Sequence, residues 1–277
     1  MLKIVDDSVW AFDLEWVPDP VSGRRAYALP QNMPDHEVVT AMWREGGATE
    51  ADPRPFLKTV LCRVVSFACV RRQRAKNGEV SLALRSLPLL DDPTLAERDL
   101  VHRVLSGIGR TRPQLVGFNS ARADLPILIQ RGLVHALHEP AFGKRPNKPW
   151  EGSDYFVRGG DSHVDVSDLI SGWGKGTPSL HEIAIACGIP GKIDTDGRSV
   201  VDLWQAGRLR EIVQYNECDA LTTYLLWLRV AHFSGQLTSE GFADEERQLE
   251  GLLTQRPNEP GNEHLARYLD VWRALRC

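Results

Sequence analysis

The stretch Val9-Trp10-Ala11-Phe12-Asp13-Leu14-Glu15-Trp16 decides how this chain is read. Val, Trp and Phe suit a pleated, half-buried surface, and from Phe12 onward apolar and acidic residues alternate, so the stretch reads as a strand. Successive side chains of a strand point to opposite faces, which puts Asp13 and Glu15 on the same one. Two adjacent carboxylates repel each other. A divalent cation offsets that repulsion, because hard cations such as Mg²⁺ take carboxylate oxygens as ligands. An isolated Asp-x-Glu pair more often belongs to the solvent side of an edge strand, so the rest of the chain has to decide between the two.

After this strand, Pro18-Asp19-Pro20-Val21-Ser22-Gly23 is a turn-rich break, and residues 20–55 have the mixed, Pro-spaced character of a surface insertion. Thr59 to Val70 is rich in β-branched residues and reads as a buried strand. Glu79 to Leu87 alternates as its hairpin partner across the turn signal Asn77-Gly78. The hairpin tip carries Arg71, Arg72, Arg74 and Lys76, which suits either phosphate contact or simple solvation. Three strands in succession predict an antiparallel meander. Pro93 to Gly109 then follows a helical period through Leu95, Leu100, Val101, Val104, Leu105 and Ile108, with Asp92 as cap and Pro93 in the first turn. Gln114 to Asn119 is a short strand and loop. Asp124 opens a helix whose inward face is expected to be Ile127, Leu128, Leu133 and Leu137. Strand and helix in alternation predict parallel crossovers, so the sheet should be mixed.

The connection from Glu139 to Asp161 carries Phe142, Trp150, Tyr155 and Phe156 among Lys144, Lys148 and Arg158. That composition suits stacking of bases along a phosphate backbone, or packing of the loop onto the domain. His163 to Ser167 reads as one more strand. A helix begins at Ser179 and stops at Gly188-Ile189-Pro190-Gly191, and Ser199–Ala206 is a short one. The longest helical pattern is Arg208 to His232, with Ile212, Val213, Leu221, Tyr224, Leu225 and Leu228 as its stripe. Two amphipathic helices follow, at Glu240–Leu253 and Glu263–Leu275. The expected organisation is a domain over 1–232 and a helical extension over 233–277 packed on it.

With 277 residues, 42% hydrophobic and 25% charged, the chain has the composition of a soluble globular protein with a full core. No apolar run approaches a membrane span, and the N-terminus lacks the basic-then-apolar plan of a signal peptide. The cysteines (Cys62, Cys69, Cys187, Cys218, Cys277) form no Cys-x-x-Cys pair, which fits reduced thiols in a cytoplasm and argues against zinc. A net charge of −4 excludes a protein that coats nucleic acid by bulk positive charge. It does not exclude a nucleic-acid enzyme whose carboxylates hold metal ions.

Tyr215-Asn216-Glu217-Cys218-Asp219 lies inside the longest helix, where residues four apart share a face. Asp219 sits among apolar positions, where an unpaired carboxylate is costly and a cation relieves the cost. Asp124 has the competing reading of a helix N-cap. Together, Phe12-Asp13-Leu14-Glu15, then Gly117-Phe118-Asn119 with Asp124-Leu125-Pro126, then Tyr215-x-x-x-Asp219, resemble the three motifs of the DEDD superfamily of 3′–5′ exonucleases. The tyrosine four residues before the last Asp is similar to the tyrosine branch. Within it, the chain resembles stand-alone bacterial exonucleases related to the proofreading domain of family-B DNA polymerases. His163-Val164-Asp165, Ser179-Leu180-His181-Glu182-Ile183-Ala184 and Gly188 through Lys192 continue the resemblance, which runs from Ser8 to Arg229. Two positions depart from it: Ala123 stands where a bulky aromatic is usual, and Ser120 where Gly is common.

The resemblance implies an α/β, ribonuclease H-like mixed sheet with flanking helices, and two divalent cations, Mg²⁺ or Mn²⁺. It implies Asp13, Glu15, Asp124 and Asp219 as metal ligands and Tyr215 as the residue that orients the nucleophile. Leu14, Asn119, Asp165 and Lys192 are candidate substrate contacts, Lys192 to a phosphate; a structural hydrogen bond is an equal reading for Asp165. The implied substrate is the 3′ end of single-stranded DNA, or of RNA, with nucleoside 5′-monophosphates released. Alternatives are an exoribonuclease, a non-catalytic nucleic-acid-binding module, or an endonuclease of the same fold. DNA and RNA differ at the sugar 2′ position, and no residue here announces how that position is read.

Overall fold

Period-2 alternation divides strand β1 (Ser8–Pro18) between two cores, one on each face of the sheet. The computed structural model describes residues 1–90, 94–148, 151–157, 159–171, 176–193, 200–256 and 261–276. With β1 at the centre, β2 (Cys62–Arg74), β3 (Val80–Leu87), β4 (Gln114–Gly117) and β5 (His163–Asp165) form a five-stranded sheet in the order β3-β2-β1-β4-β5. The β1–β2 and β2–β3 pairs are antiparallel; β1–β4 and β4–β5 are parallel. This is the mixed sheet that the strand and helix pattern predicted, and its flanking helices make it a ribonuclease H-like α/β fold.

On one face, Trp10, Phe12 and Leu14 pack against α3 (Glu97–Thr111) and α4 (Asp124–Val134). On the other, Val9 and Ala11 meet Leu221, Tyr224 and Leu225 of the long helix α9 (Leu209–Phe233). Further along the same face, Val17 meets Ile212 and Tyr215. So α9 lies antiparallel to β1, with apolar contacts above and below the level of Asp13 and Glu15. The last two helices, α10 (Ser239–Gln255) and α11 (Glu263–Leu275), close the same core through Leu249, Leu253, Leu265, Tyr268, Leu269 and Trp272. No described helix is long and apolar enough to cross a membrane.

The region read as a surface insertion contains two helices, α1 (Pro20–Ala26) and α2 (Asp35–Glu45). Val38, Val39, Met42 and Trp43 of α2 are buried in a small core of their own. Their spacing is helical, but flanking prolines and a short span hide the period. Asp19 caps α1 by accepting the Val21 N–H. Gly23 lets the two helices touch, since a Cβ there would lie 2.4 Å from Met42 Sδ.

Several boundaries shift for physical reasons. Thr59–Leu61 is a 3₁₀ turn that precedes β2, and α3 starts at Glu97; the expected cap, Asp92 and Pro93, lies outside the described residues. Leu133, expected inward on α4, is 76% exposed. The inward place goes to Arg131, which is buried and pairs with Glu97 at 2.6 Å and Asp19 at 3.1 Å. The strand expected over His163–Ser167 ends at Asp165, whose side chain caps the short helix α6 (Val166–Ile170). Helices α7 (Leu180–Ala186) and α8 (Val200–Gln205) fall where expected; Ser179 caps α7 reciprocally with Glu182, and Ser199 lies outside the described residues.

The described aromatics of the 139–161 connection pack against one another. Phe142, in the short helix α5 (Pro140–Gly143), stacks on Tyr155 at 5.8 Å and meets Phe156 edge-on at 5.5 Å. The Tyr155 hydroxyl donates to the Pro113 carbonyl. Gly109 of α3 permits this approach, because a Cβ there would meet the Phe142 backbone nitrogen at 2.6 Å. Trp150 and Arg158 lie outside the described residues. The basic hairpin is likewise partly structural. Arg72 is buried, donates to the Glu245 carboxylate of α10, and Tyr224 of α9 donates to the same group. Arg71 lies over the Trp10 ring.

Arg72, Glu245 and Tyr224 thus clamp the sheet to α9 and α10 in a dry setting. Glu245→Gln should cost about 3–5 kcal/mol in urea denaturation, because it strands a buried guanidinium. Glu250→Ala, which removes the partner of half-exposed Arg273, should cost less than about 1 kcal/mol. Equal costs would show that the clamp carries no special weight.

Candidate active site

Strand β1 pairs with β2 along its whole length but with β4 only over Val9–Ala11. Beyond Ala11 the β4 side of β1 is open. The crevice lies at the carboxyl ends of the parallel strands, where open α/β sheets bind ligands. Asp13 lies opposite Ala68 and Glu15 opposite Ser66, just before a register shift in the β1–β2 pairing.

Asp219 reaches this point from α9. One carboxylate oxygen from each of Asp13, Glu15 and Asp219 lies within 4.8 Å of the others. Asp124 comes from the first turn of α4, whose N-cap is Ala123, so Asp124 is not the cap. Its Oδ1 accepts the Leu14 N–H at 3.1 Å, beyond the last residue that pairs with β4. All four acids line one cleft of about 500 Å³.

Burial and mutual repulsion dominate the electrostatics. Asp13 is raised well above the usual carboxylate range by burial first, then by Asp124, Glu15 and Asp219. Glu15 is raised by burial, Asp219 and Asp124, with the Lys192 charge opposing. Burial lifts Asp124 to about 7, against hydrogen bonds to backbone N–H groups. It lifts Asp219 to about 6, against the Tyr215 hydrogen bond and Lys192. Among the described residues none of the four is ion-paired with an arginine or lysine. Closely spaced hard oxygens with excess negative charge are the donor set that suits Mg²⁺ or Mn²⁺. The Tyr215 hydroxyl donates to Asp219, and burial together with the acids pushes its own pKa far up, so it keeps its proton.

The candidate substrate contacts separate. Leu14 and Asn119 line the cleft. Asn119 has a left-handed backbone (φ 59°), which Asn tolerates better than most residues. Asp165 instead faces the turn that follows β4: it accepts N–H groups of Asn119 (2.8 Å), Ala121 (2.9 Å) and Ser167 (3.0 Å). Lys192 is exposed, its backbone N–H bound to His181 Nδ1 at 3.0 Å, with its charge near Glu15 and Asp219. Ser120 is buried, with its Oγ 2.9 Å from His163 Nε2, and Ala123 lines the cleft.

The sequence reading missed one wall of the cleft, formed by Trp43, Arg54, Phe56 and Asp202. The available signal was the helical spacing in α2 and the Pro53-Arg54-Pro55-Phe56 strap, an unusual concentration of rigid and aromatic residues for a loop.

Residues 54–272 match a family described as a predicted 3′–5′ exonuclease related to the exonuclease domain of PolB. No curated protein matches the chain. The matched span takes in α10 and most of α11, whereas the motif resemblance stops at Arg229. It also starts after β1, so Asp124, Tyr215 and Asp219 fall inside it, and Asp13 and Glu15 join them through the fold. The chain belongs to this family of predicted 3′–5′ exonucleases related to the exonuclease domain of PolB.

Proposed function

We propose that the chain is a metal-dependent exonuclease that removes nucleoside 5′-monophosphates from the 3′ ends of single strands, with DNA as the first substrate to test. The observation that carries this reading is the close approach of the Asp13, Glu15 and Asp219 oxygens with no ion pair to an arginine or lysine among the described residues. Asp13, Glu15 and Asp219 would hold one Mg²⁺ or Mn²⁺, and Asp13 with Asp124 a second. Bound there, such ions supply a water that ionises near neutral pH and relieve negative charge on the phosphodiester and the departing 3′ oxygen.

The chain's own groups do the rest. In the hydrolysis, a water oxygen bonds to the terminal phosphorus, the bond from phosphorus to the 3′ oxygen breaks, and that oxygen leaves with a proton. Tyr215 is a positioning donor rather than a base, since its Oη keeps its proton. Leu14 fixes Asp124 through its backbone N–H. Asn119 on the rim and Lys192 beside Glu15 and Asp219 would meet the sugar–phosphate of the terminal nucleotide. Residues 1–232 would form the nuclease unit, and helices 233–277 would buttress α9 from behind.

A 5′-labelled single strand should shorten stepwise with Mn²⁺, while a circular strand stays intact. Asp13→Ala or Asp219→Ala should lower the rate more than about a hundredfold with the fold retained. Tyr215→Phe should lower it about tenfold, a loss of orientation only. Full activity in either Ala variant would overturn the metal assignment.

The acids also predict how stability follows pH. Their folded pKa values lie above the ordinary 3.8 of Asp, at about 7 for Asp124 and about 6 for Asp219. A raised folded pKa stabilises the fold below the unfolded value, and that stabilisation is lost as pH climbs through the folded one. In chelator, the thermal midpoint should therefore fall between about pH 5 and about pH 8, and Asp124→Asn should flatten part of that fall. Mn²⁺ should raise the midpoint more at the higher pH, because ligands must lose protons to bind it. An equal Mn²⁺ shift at both pH values would count against a carboxylate metal site.

A further inference from the structure

Phe56 is 79% exposed, more than any other large hydrophobic residue among those described. It lines the cleft that holds Asp13, Glu15, Asp124 and Asp219. We propose that Phe56 is a stacking platform for an unpaired base within the last two nucleotides of a 3′ end, an inference that rests on the nuclease reading of that cleft.

The ring is presented to water by anchored neighbours. Pro53 and Pro55 fix the backbone on its N-terminal side. Between them, Arg54 Nη1 reaches Asp202 Oδ1 of α8 at 2.5 Å, and its guanidinium lies 5.2 Å from the centre of the Trp43 ring. On the other side, Leu57 packs into two apolar clusters and against the end of α2, where a Cβ on Gly46 would lie 2.8 Å from Leu57 Cδ2. Arg54 therefore ties the strap to α8 and α2, and Leu57 ties it to the cores below. Phe56, between these two ties, is the side chain left facing solvent.

An apolar ring fixed in water is unfavourable unless something covers it. Here the candidate cover is set by place: the ring and the carboxylates share one cleft, so a chain whose terminal phosphodiester meets the acids runs its bases past Phe56. Aromatic faces accept any base, whatever the sequence, provided its face is free. A base paired within a duplex has both faces occupied by its neighbours, and a terminal pair frees only its outer face, backed by the bulk of the duplex. Phe56 thus selects single-stranded ends without choosing among bases, while the carboxylates select the phosphodiester.

Binding decides the matter separately from turnover. A 5′-fluorescent single strand is titrated with protein in Ca²⁺ and followed by anisotropy, with the strand complete or lacking its last or its penultimate base. Wild-type protein should prefer the complete strand by about tenfold over one of the two abasic strands, the scale of a single stacked base. Phe56→Ala should bind complete and abasic strands alike, at the abasic level, with an unchanged thermal midpoint. Phe56→Trp should restore the preference. The proposal is overturned if wild type binds all strands equally, or if Phe56→Ala keeps the preference. Failure to shorten the strand in Mn²⁺, with the preference intact, would instead overturn the nuclease reading and leave the stacking in place.

Discussion

The packing of α9 against β1 is the constraint on which the site depends. The two elements run antiparallel, and their apolar contacts lie on either side of the acids: Val9 and Ala11 with Leu221 and Leu225, and Val17 with Ile212 and Tyr215. Asp219 is carried by the stretch of helix between these contacts, so it has no freedom to withdraw from Asp13 and Glu15. Lifting Asp124 from 3.8 to about 7 corresponds to about 4 kcal/mol against the ionised form. Each large apolar side chain buried along the α9 interface contributes about 1.5–3 kcal/mol. A few such contacts match a burial cost of that size.

The open edge of β1 is the second half of the arrangement. If β4 were longer, its backbone would pair with Leu14 and fill the crevice. Because the β1–β4 ladder stops at Ala11, the Leu14 N–H is free to take Asp124 as its acceptor. One missing stretch of strand thus makes room for a ligand and positions a fourth acid. Asp165 then holds the turn after β4 by two backbone N–H groups, those of Asn119 and Ala121, which keeps that turn from collapsing into the space.

What the sequence reveals follows from how local each signal is. Period-2 alternation in β1, the β-branched run of β2 and the four-residue spacing of Tyr215 and Asp219 are local patterns, and all lie where they were read. The capping box at Ser179 is local too. The role of Arg131 is not: nothing near it announces that Glu97 and Asp19, distant along the chain, occupy its surroundings, and so Leu133 was given its inward place. Arg72 is open to a phosphate reading for the same reason, since its partner Glu245 lies 173 residues further along the chain. The 139–161 aromatics were ambiguous because stacking rings and core rings share a composition; burial separates them. The strap at Phe56 escaped notice because its meaning depends on which cleft it borders.

The strongest argument for function lies in how the fold treats its other buried acids. Glu97 and Asp19 share Arg131, Glu245 has Arg72, Glu246 has Arg276, and Glu217 has His264 at 2.7 Å. Asp165 has backbone N–H groups instead. Away from the cleft, then, the fold follows the general rule that buried carboxylates are paired or hydrogen-bonded. Asp13, Glu15 and Asp219 stand together at one point without an ion pair among the described residues, in a crevice open to solvent, and the Tyr215 hydroxyl donates to Asp219. Had the fold merely tolerated stray acids, the exceptions would be scattered. Beyond the single charge of exposed Lys192 near Glu15 and Asp219, a divalent cation is the smallest species that would bring positive charge to three carboxylates at once.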